Sequence, residues 1–181
     1  MNLASYILRL FGWKVRITVP DVPKCIICVA PHTSNWDFIL GKLAYASVGR
    51  TAGFLMKSTW FFWPLGVFFR SIGGIPVERR KKGGSLTQYV IEKFKTSERL
   101  QLAITPEGTR SRQPNWHTGF LHIAVEAGVP VMLGVLDYGN KEVVVADEFI
   151  PTGDVERDLC FVKAYYKAVQ AKYPNKFTVS E

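Results

Sequence analysis

Cysteine is scarce: Cys25, Cys28 and Cys160 are the only three in 181 residues. So small and odd a number cannot build a disulfide scaffold, and a reducing compartment is the expectation. No run reaches the roughly 18 uninterrupted apolar residues of a confident membrane-spanning helix. Residues Met1 to Phe11 lack the basic leader and the small-residue cleavage site of a secretory signal. Three common chemical signatures are missing as well: GxSxG, GxGxxG after a strand, and GxxxxGK[ST]. Serine-hydrolase, dinucleotide and P-loop chemistry therefore lose their usual marks. Acidic residues are the minority, 15 against 23 Lys+Arg, for a formal net charge of +8. That excess suits nucleic acid, an anionic membrane surface, or an acidic partner or substrate.

What is present narrows the choice. Hydrophobic residues make up 48% of the chain, too many for disorder, and the length fits one domain spanning 1–181. From Trp60 to Phe69 the chain reads WFFWPLGVFF, six aromatics in ten residues. No cation is interleaved there to hold phosphates between stacked bases, so nucleic acid is disfavoured and an interfacial role favoured. Asn2 to Phe11 reads as an amphipathic helix with Leu3, Ile7, Leu8 and Phe11 on one side. Residues 1–18 are thus a candidate membrane-surface segment.

The rest alternates. Strands are expected at Lys24–Ala30, Thr51–Lys57, Ile75–Glu78, Leu100–Thr105, Val129–Tyr138 and Lys141–Phe149. Helices are expected at Asn35–Val48, Trp60–Ile72, Ser85–Thr96 (with a Ser85/Gln88 capping box), His117–Ala127 and Asp154–Lys172. Strand alternating with helix predicts an α/β single domain, a mostly parallel mixed sheet with helices on both faces. In such sheets ligands sit beyond the carboxyl ends of strands. The loops after Ala30, Glu78 and Thr105 occupy such ends.

Each of those loops carries polar residues. His32 precedes Asp37 by five positions, a spacing that brings them together only if His32 lies in the turn before a helix and Asp37 in its first turn. Two readings are open: Asp37 completes a capping box with Ser34, or it orients His32 as a general base. Arg79 directly follows a buried strand and offers a planar fork to a phosphate, whereas Arg80 to Lys82 read as a solvated charge run. Thr105 to Arg112 contains a glycine, an acid, hydroxyls and two arginines at a strand end. Cys25 and Cys28 have CxxC spacing inside a strand, where they should point to opposite faces, so no metal site is expected. His117 and His122 read as structural or surface residues.

The order His32-x4-Asp37, then Gly74-Ile75-Pro76-Val77-Glu78-Arg79, then Glu107-Gly108-Thr109-Arg110 resembles the glycerolipid acyltransferase family, best known from the 1-acylglycerol-3-phosphate acyltransferases. Gly128 to Leu133 is similar to the family's fourth block, and the resemblance runs from about Lys24 to Tyr138. It implies transfer of a fatty acyl group from an acyl-coenzyme A or acyl carrier protein thioester to a hydroxyl of a lysolipid. His32 would be the base and Asp37 its partner. Arg79 with Glu107, Gly108, Thr109 and Arg110 would bind the acceptor's phosphate or head group, and Lys57 matches a basic residue ahead of the second block. No cofactor is implied. His117-Thr118 stands before Gly119 where the family commonly places Lys. A peripheral enzyme on the cytoplasmic face of an anionic membrane is the resulting expectation. Two other classes stay open: a thioesterase or lipid hydrolase using the same pair, and a non-catalytic lipid-binding domain.

Overall fold

The computed structural model describes residues 2–78 and 86–180. Arg79, and the Ser85 cap expected for the helix that follows, lie outside the described residues.

Lys24–Ala30 forms a central strand because nearly every residue of KCIICVA is apolar and both faces of the strand are covered. The seven strands are β1 (Lys14–Ile17), β2 (Lys24–Ala30), β3 (Gly53–Lys57), β4 (Gly74–Val77), β5 (Leu100–Ile104), β6 (Val131–Asp137) and β7 (Glu142–Phe149). They make one sheet in the order β1-β7-β6-β2-β5-β3-β4. Strands β6, β2, β5, β3 and β4 run parallel. The hairpin return of β7 is antiparallel to β6, and β1 runs parallel to β7 at the edge. The sheet is therefore mixed and mostly parallel, as the alternation predicts.

Among the described residues six helices cover it: α1 (Leu3–Leu10), α2 (Asn35–Ser47), α3 (Leu65–Ser71), α4 (Leu86–Thr96), α5 (Gly119–Ala127) and α6 (Val155–Tyr165). Right-handed crossovers decide the faces. The connections through α2 and α3 step towards β4, and those through α4 and α5 step back, so the two pairs lie on opposite faces. The core agrees. Ile26, Cys28 and Ala30 of β2 pack with Val90, Phe94, Phe120 and Val162 from α4 to α6. Cys25 and Ile27 pack with Tyr45 of α2, while Leu8 of α1 meets Leu40 and Ala44 of α2 and Leu136 of β6. Cys25 and Cys28 thus face opposite ways, and burial pushes both thiols up to about 12.

Three expectations are corrected. Strand β1 was not anticipated: KVRI is a four-residue edge strand, too short for periodicity to stand out. The aromatic stretch is not one helix. A 3₁₀ turn spans Ser58–Trp60, and α3 starts only at Leu65, with Pro64 at its N-cap. Helix α6 stops at Tyr165, seven residues short. Tyr166, at its C-cap, is fully buried and donates its hydroxyl hydrogen bond to the Cys28 carbonyl at 2.6 Å. Tertiary packing ends the helix while the apolar spacing continues.

Candidate active site

Strands β2, β5 and β6 end side by side, at Ala30, Ile104 and Asp137. The residues just beyond those ends converge. His32 lies two positions after β2. Asp37 lies in the first turn of α2, where the Ser34 side chain and the Asp37 carboxylate make the reciprocal capping box. Asp37 caps the helix and also faces His32, with His32 Nδ1 3.4 Å from Asp37 Oδ2. With Nδ1 turned to the carboxylate, Nε2 is the nitrogen left for a substrate. The Asp37 side chain is 1% exposed and that of His32 20%.

Four other contacts hold Asp37 and its loop. Asp37 Oδ2 accepts hydrogen bonds from the Thr33 and Ser34 amides, each at 2.7 Å. Its other oxygen accepts from the Tyr138 hydroxyl at 2.6 Å. The Thr33 hydroxyl accepts from the Tyr173 amide at 3.3 Å. Burial alone would raise the Asp37 pKa. The hydrogen bonds from His32, Tyr138, Ser34 and Thr33 outweigh it and hold the group below the ordinary carboxylate range.

The second loop is tied to the first at two points. Glu107 Oε1 accepts from the His32 amide at 2.6 Å, and Arg110 Nη1 donates to Asn35 Oδ1. Glu107 is 1% exposed. Burial pushes its carboxyl up to about 8; the His32 amide opposes the rise and the Asp37 charge adds to it. Its carboxyl lies under the His32 backbone, in the interior, while Arg110 is exposed at the surface. Gly108 between them has φ of +65°, and a Cβ there would fall 2.5 Å from His117 Cδ2. The His117 ring therefore closes over the turn, held by its own amide donating to the Pro106 carbonyl at 2.8 Å. Thr109 is half-buried, and its hydroxyl accepts from the Ser111 amide at 3.2 Å.

Lys57 is exposed at the carboxyl end of β3, opposite Val77 of β4 and two strands from β2. It shares the sheet edge with the site. Next to the His–Asp pair, α1 and α2 enclose an apolar groove of about 430 Å³, lined by Leu8, Phe11, Trp13, Trp36, Leu40 and Tyr138 among others. Its volume lies in the range of small-molecule sites. Sequence pattern alone does not reveal this groove, because α1 and α2 are far apart in the chain. Tyr138, the residue directly after β6, is a site residue that the sequence reading does not include. A polar residue closing a buried run was the available signal.

A family model described as acyltransferase matches residues 15–132, about two thirds of the chain. The chain belongs to the acyltransferase family. Its fold is similar to that of the 1-acyl-sn-glycerophosphate (LPA) acyltransferase PlsC from Thermotoga maritima. The TM-score is 0.60 at 21% identity, over 93% of this chain and 78% of that one. No curated protein matches the chain. Among the described residues, no helix of this acyltransferase is long and apolar enough to cross a membrane.

Proposed function

We propose that this acyltransferase moves a fatty acyl group from a thioester, acyl-coenzyme A or acyl carrier protein, to a hydroxyl of a lysophospholipid or related glycerolipid. The observation that carries the reading is the joining of two loops: the His32–Asp37 pair is tied through Glu107 and Arg110 to a turn that presents a guanidinium beside it. An alcohol is a weak nucleophile at neutral pH, and a thioester is already activated. The chemistry then needs a base and correct placement.

His32 Nε2 takes the acceptor's hydroxyl proton as that oxygen bonds to the thioester carbonyl carbon. The tetrahedral intermediate collapses, the C–S bond breaks, and the leaving sulfur takes the proton from Nε2. The product is an ester plus a free thiol, with His32 neutral again. Asp37 stabilises the passing imidazolium and fixes the tautomer without accepting the proton. Arg110 receives the anionic head group, with Lys57 along the same sheet edge; Arg79, two positions after β4 in the sequence, is a further candidate. Glu107 acts from beneath by fixing the His32 backbone, and Gly108 and Thr109 shape the turn. The apolar groove takes the acyl chain. The enzyme works from the surface of an anionic membrane, on its cytoplasmic face.

The test is a purified-enzyme screen of acyl-coenzyme A and acyl carrier protein thioesters against several lysolipids, read by mass spectrometry. An acylated lysolipid, lost in His32→Ala with circular dichroism unchanged, supports the reading. Free fatty acid at the same rate with and without acceptor would make the protein a thioesterase. Near-native turnover in His32→Ala would remove the base assignment.

A further inference from the structure

The Tyr138 side chain touches both Asp37 and the apolar groove. Its hydroxyl donates to Asp37 Oδ1 at 2.6 Å, on the oxygen that neither the loop amides nor His32 engages. Its ring forms a wall of the apolar groove and meets Trp13 edge-on at 5.0 Å and 89°. Trp13 is buried, so the ring is fixed from below. Burial and the adjacent Asp37 charge drive the phenol well above its ordinary pKa, so the hydroxyl stays a donor throughout the working range. Lys172 sits over the same ring at 6.0 Å and over Trp36 at 5.1 Å, Lys141 borders the groove, and Tyr173 approaches from the C-terminal segment. Asp37 in turn faces His32 and adds to the rise of the Glu107 carboxyl.

We infer that Tyr138 is a positioning residue for acyl transfer: by holding Asp37 Oδ1 it fixes the carboxylate against His32 and sets how strongly that carboxylate supports the imidazolium. The inference rests on the proposed reaction only for its kinetic readout. A carboxylate facing a base can rotate about its Cβ–Cγ bond unless both oxygens are held. Here the Thr33 and Ser34 amides hold one and Tyr138 holds the other. The hydrogen bond also spreads the carboxylate's charge. Removing it leaves more of that charge towards Nδ1 and a more stable imidazolium.

Tyr138→Phe keeps the ring and its packing on Trp13 and removes only the donor. The expected result is a fall in kcat of about 10- to 100-fold, the worth of one hydrogen bond to a charged group. The donor KM should stay within about twofold, since the groove wall is intact. The acid limb of the kcat/KM profile should move to higher pH, by roughly half a unit or more. Without substrate, the proton-NMR resonance of the His32 Nδ1 proton should move downfield. This second arm separates the two ideas: if the wild type turns over no thioester, the reaction fails but the NMR shift still tests Tyr138. Should Tyr138→Phe fold poorly, 3,5-difluorotyrosine at position 138 gives the opposite perturbation. A stronger donor there should move the acid limb and the resonance the other way. An unchanged Nδ1 resonance and an unmoved or lowered acid limb in Tyr138→Phe would overturn the inference.

Discussion

At the residue scale, Glu107 carries a consequence for pH that Asp37 does not share. Its folded pKa, about 8, lies above the ordinary carboxyl value of 4.5 because the group is buried. Between those values the folded protein holds a proton that the unfolded chain releases. Stability contributed by this group is therefore full below pH 4.5 and declines as pH rises towards 8. Glu107→Gln keeps an oxygen for the His32 amide and removes the ionisation. The variant should lose less stability across that window, with a Tm several degrees above wild type at pH 8 and near it at pH 5, at about 2–4 °C per kcal/mol for a chain of this size. Thermal scans at the two values decide it; equal slopes would place the ionised form comfortably in the fold. Asp37 has the opposite sign. Its lowered pKa stabilises the fold above the ordinary carboxyl range and withdraws that support only under acid.

At the element scale, the turn after β5 is tightly constrained. Gly108 has a φ that L side chains rarely adopt, and the His117 ring fills the space where a Cβ would go. Gly108→Ala should therefore displace His117 and misplace Arg110, costing about 1–3 kcal/mol in stability and lowering activity more than stability alone explains. Full activity with an unchanged Tm would show that the turn yields at no cost. This turn also illustrates what the sequence reveals. The strand end at Ala30, and that of β5 to within one residue, were legible because buried strands write continuous apolar runs between turn residues. The His32–Asp37 meeting followed from spacing and a capping signal. The inward placement of Glu107, the Asn35–Arg110 tie, the Tyr138–Asp37 contact and the groove were hidden, because each depends on a partner at least 75 residues away or on packing between separate helices. The short strand β1 and the early stop of α6 were hidden for the same reason: pairing with β7 and burial of Tyr166 set them, and local pattern does not.

At the scale of the whole molecule, the two faces of the sheet differ. Leu3, Leu10 and Phe11 of the α1 region, Trp36 and Ile39 of α2, and Trp63, Val67 and Phe68 around α3 are all exposed. Trp63 is 84% exposed and Leu3 75%. α1 packs against α2, and Lys42 of α2 reaches the Ile72 carbonyl at the end of α3, so these three helices lie side by side. Carboxylates are almost missing from this part of the chain. Between residues 1 and 77 the acids are Asp21 and Asp37. Asp37 is buried, and Asp21 is paired with Arg99 and Arg50. An apolar surface bearing aromatics, in a stretch of chain with few acids, fits the headgroup level of an anionic bilayer. Each cation near such a surface adds about 1 kcal/mol, and the attraction fades in high salt, where the Debye length is about 3 Å at 1 M. Liposome sedimentation then has a defined outcome. The protein should pellet with vesicles containing anionic lipid, much less with purely zwitterionic ones, and less at 1 M salt. Trp63→Ser and Phe68→Ser should weaken the binding that remains, and adding Leu3→Ser and Phe11→Ser should weaken it further, since these side chains are exposed and their loss leaves the core intact. Equal pelleting with both kinds of vesicle, or none with either, would leave the +8 charge to be answered by an acidic carrier protein bearing the thioester.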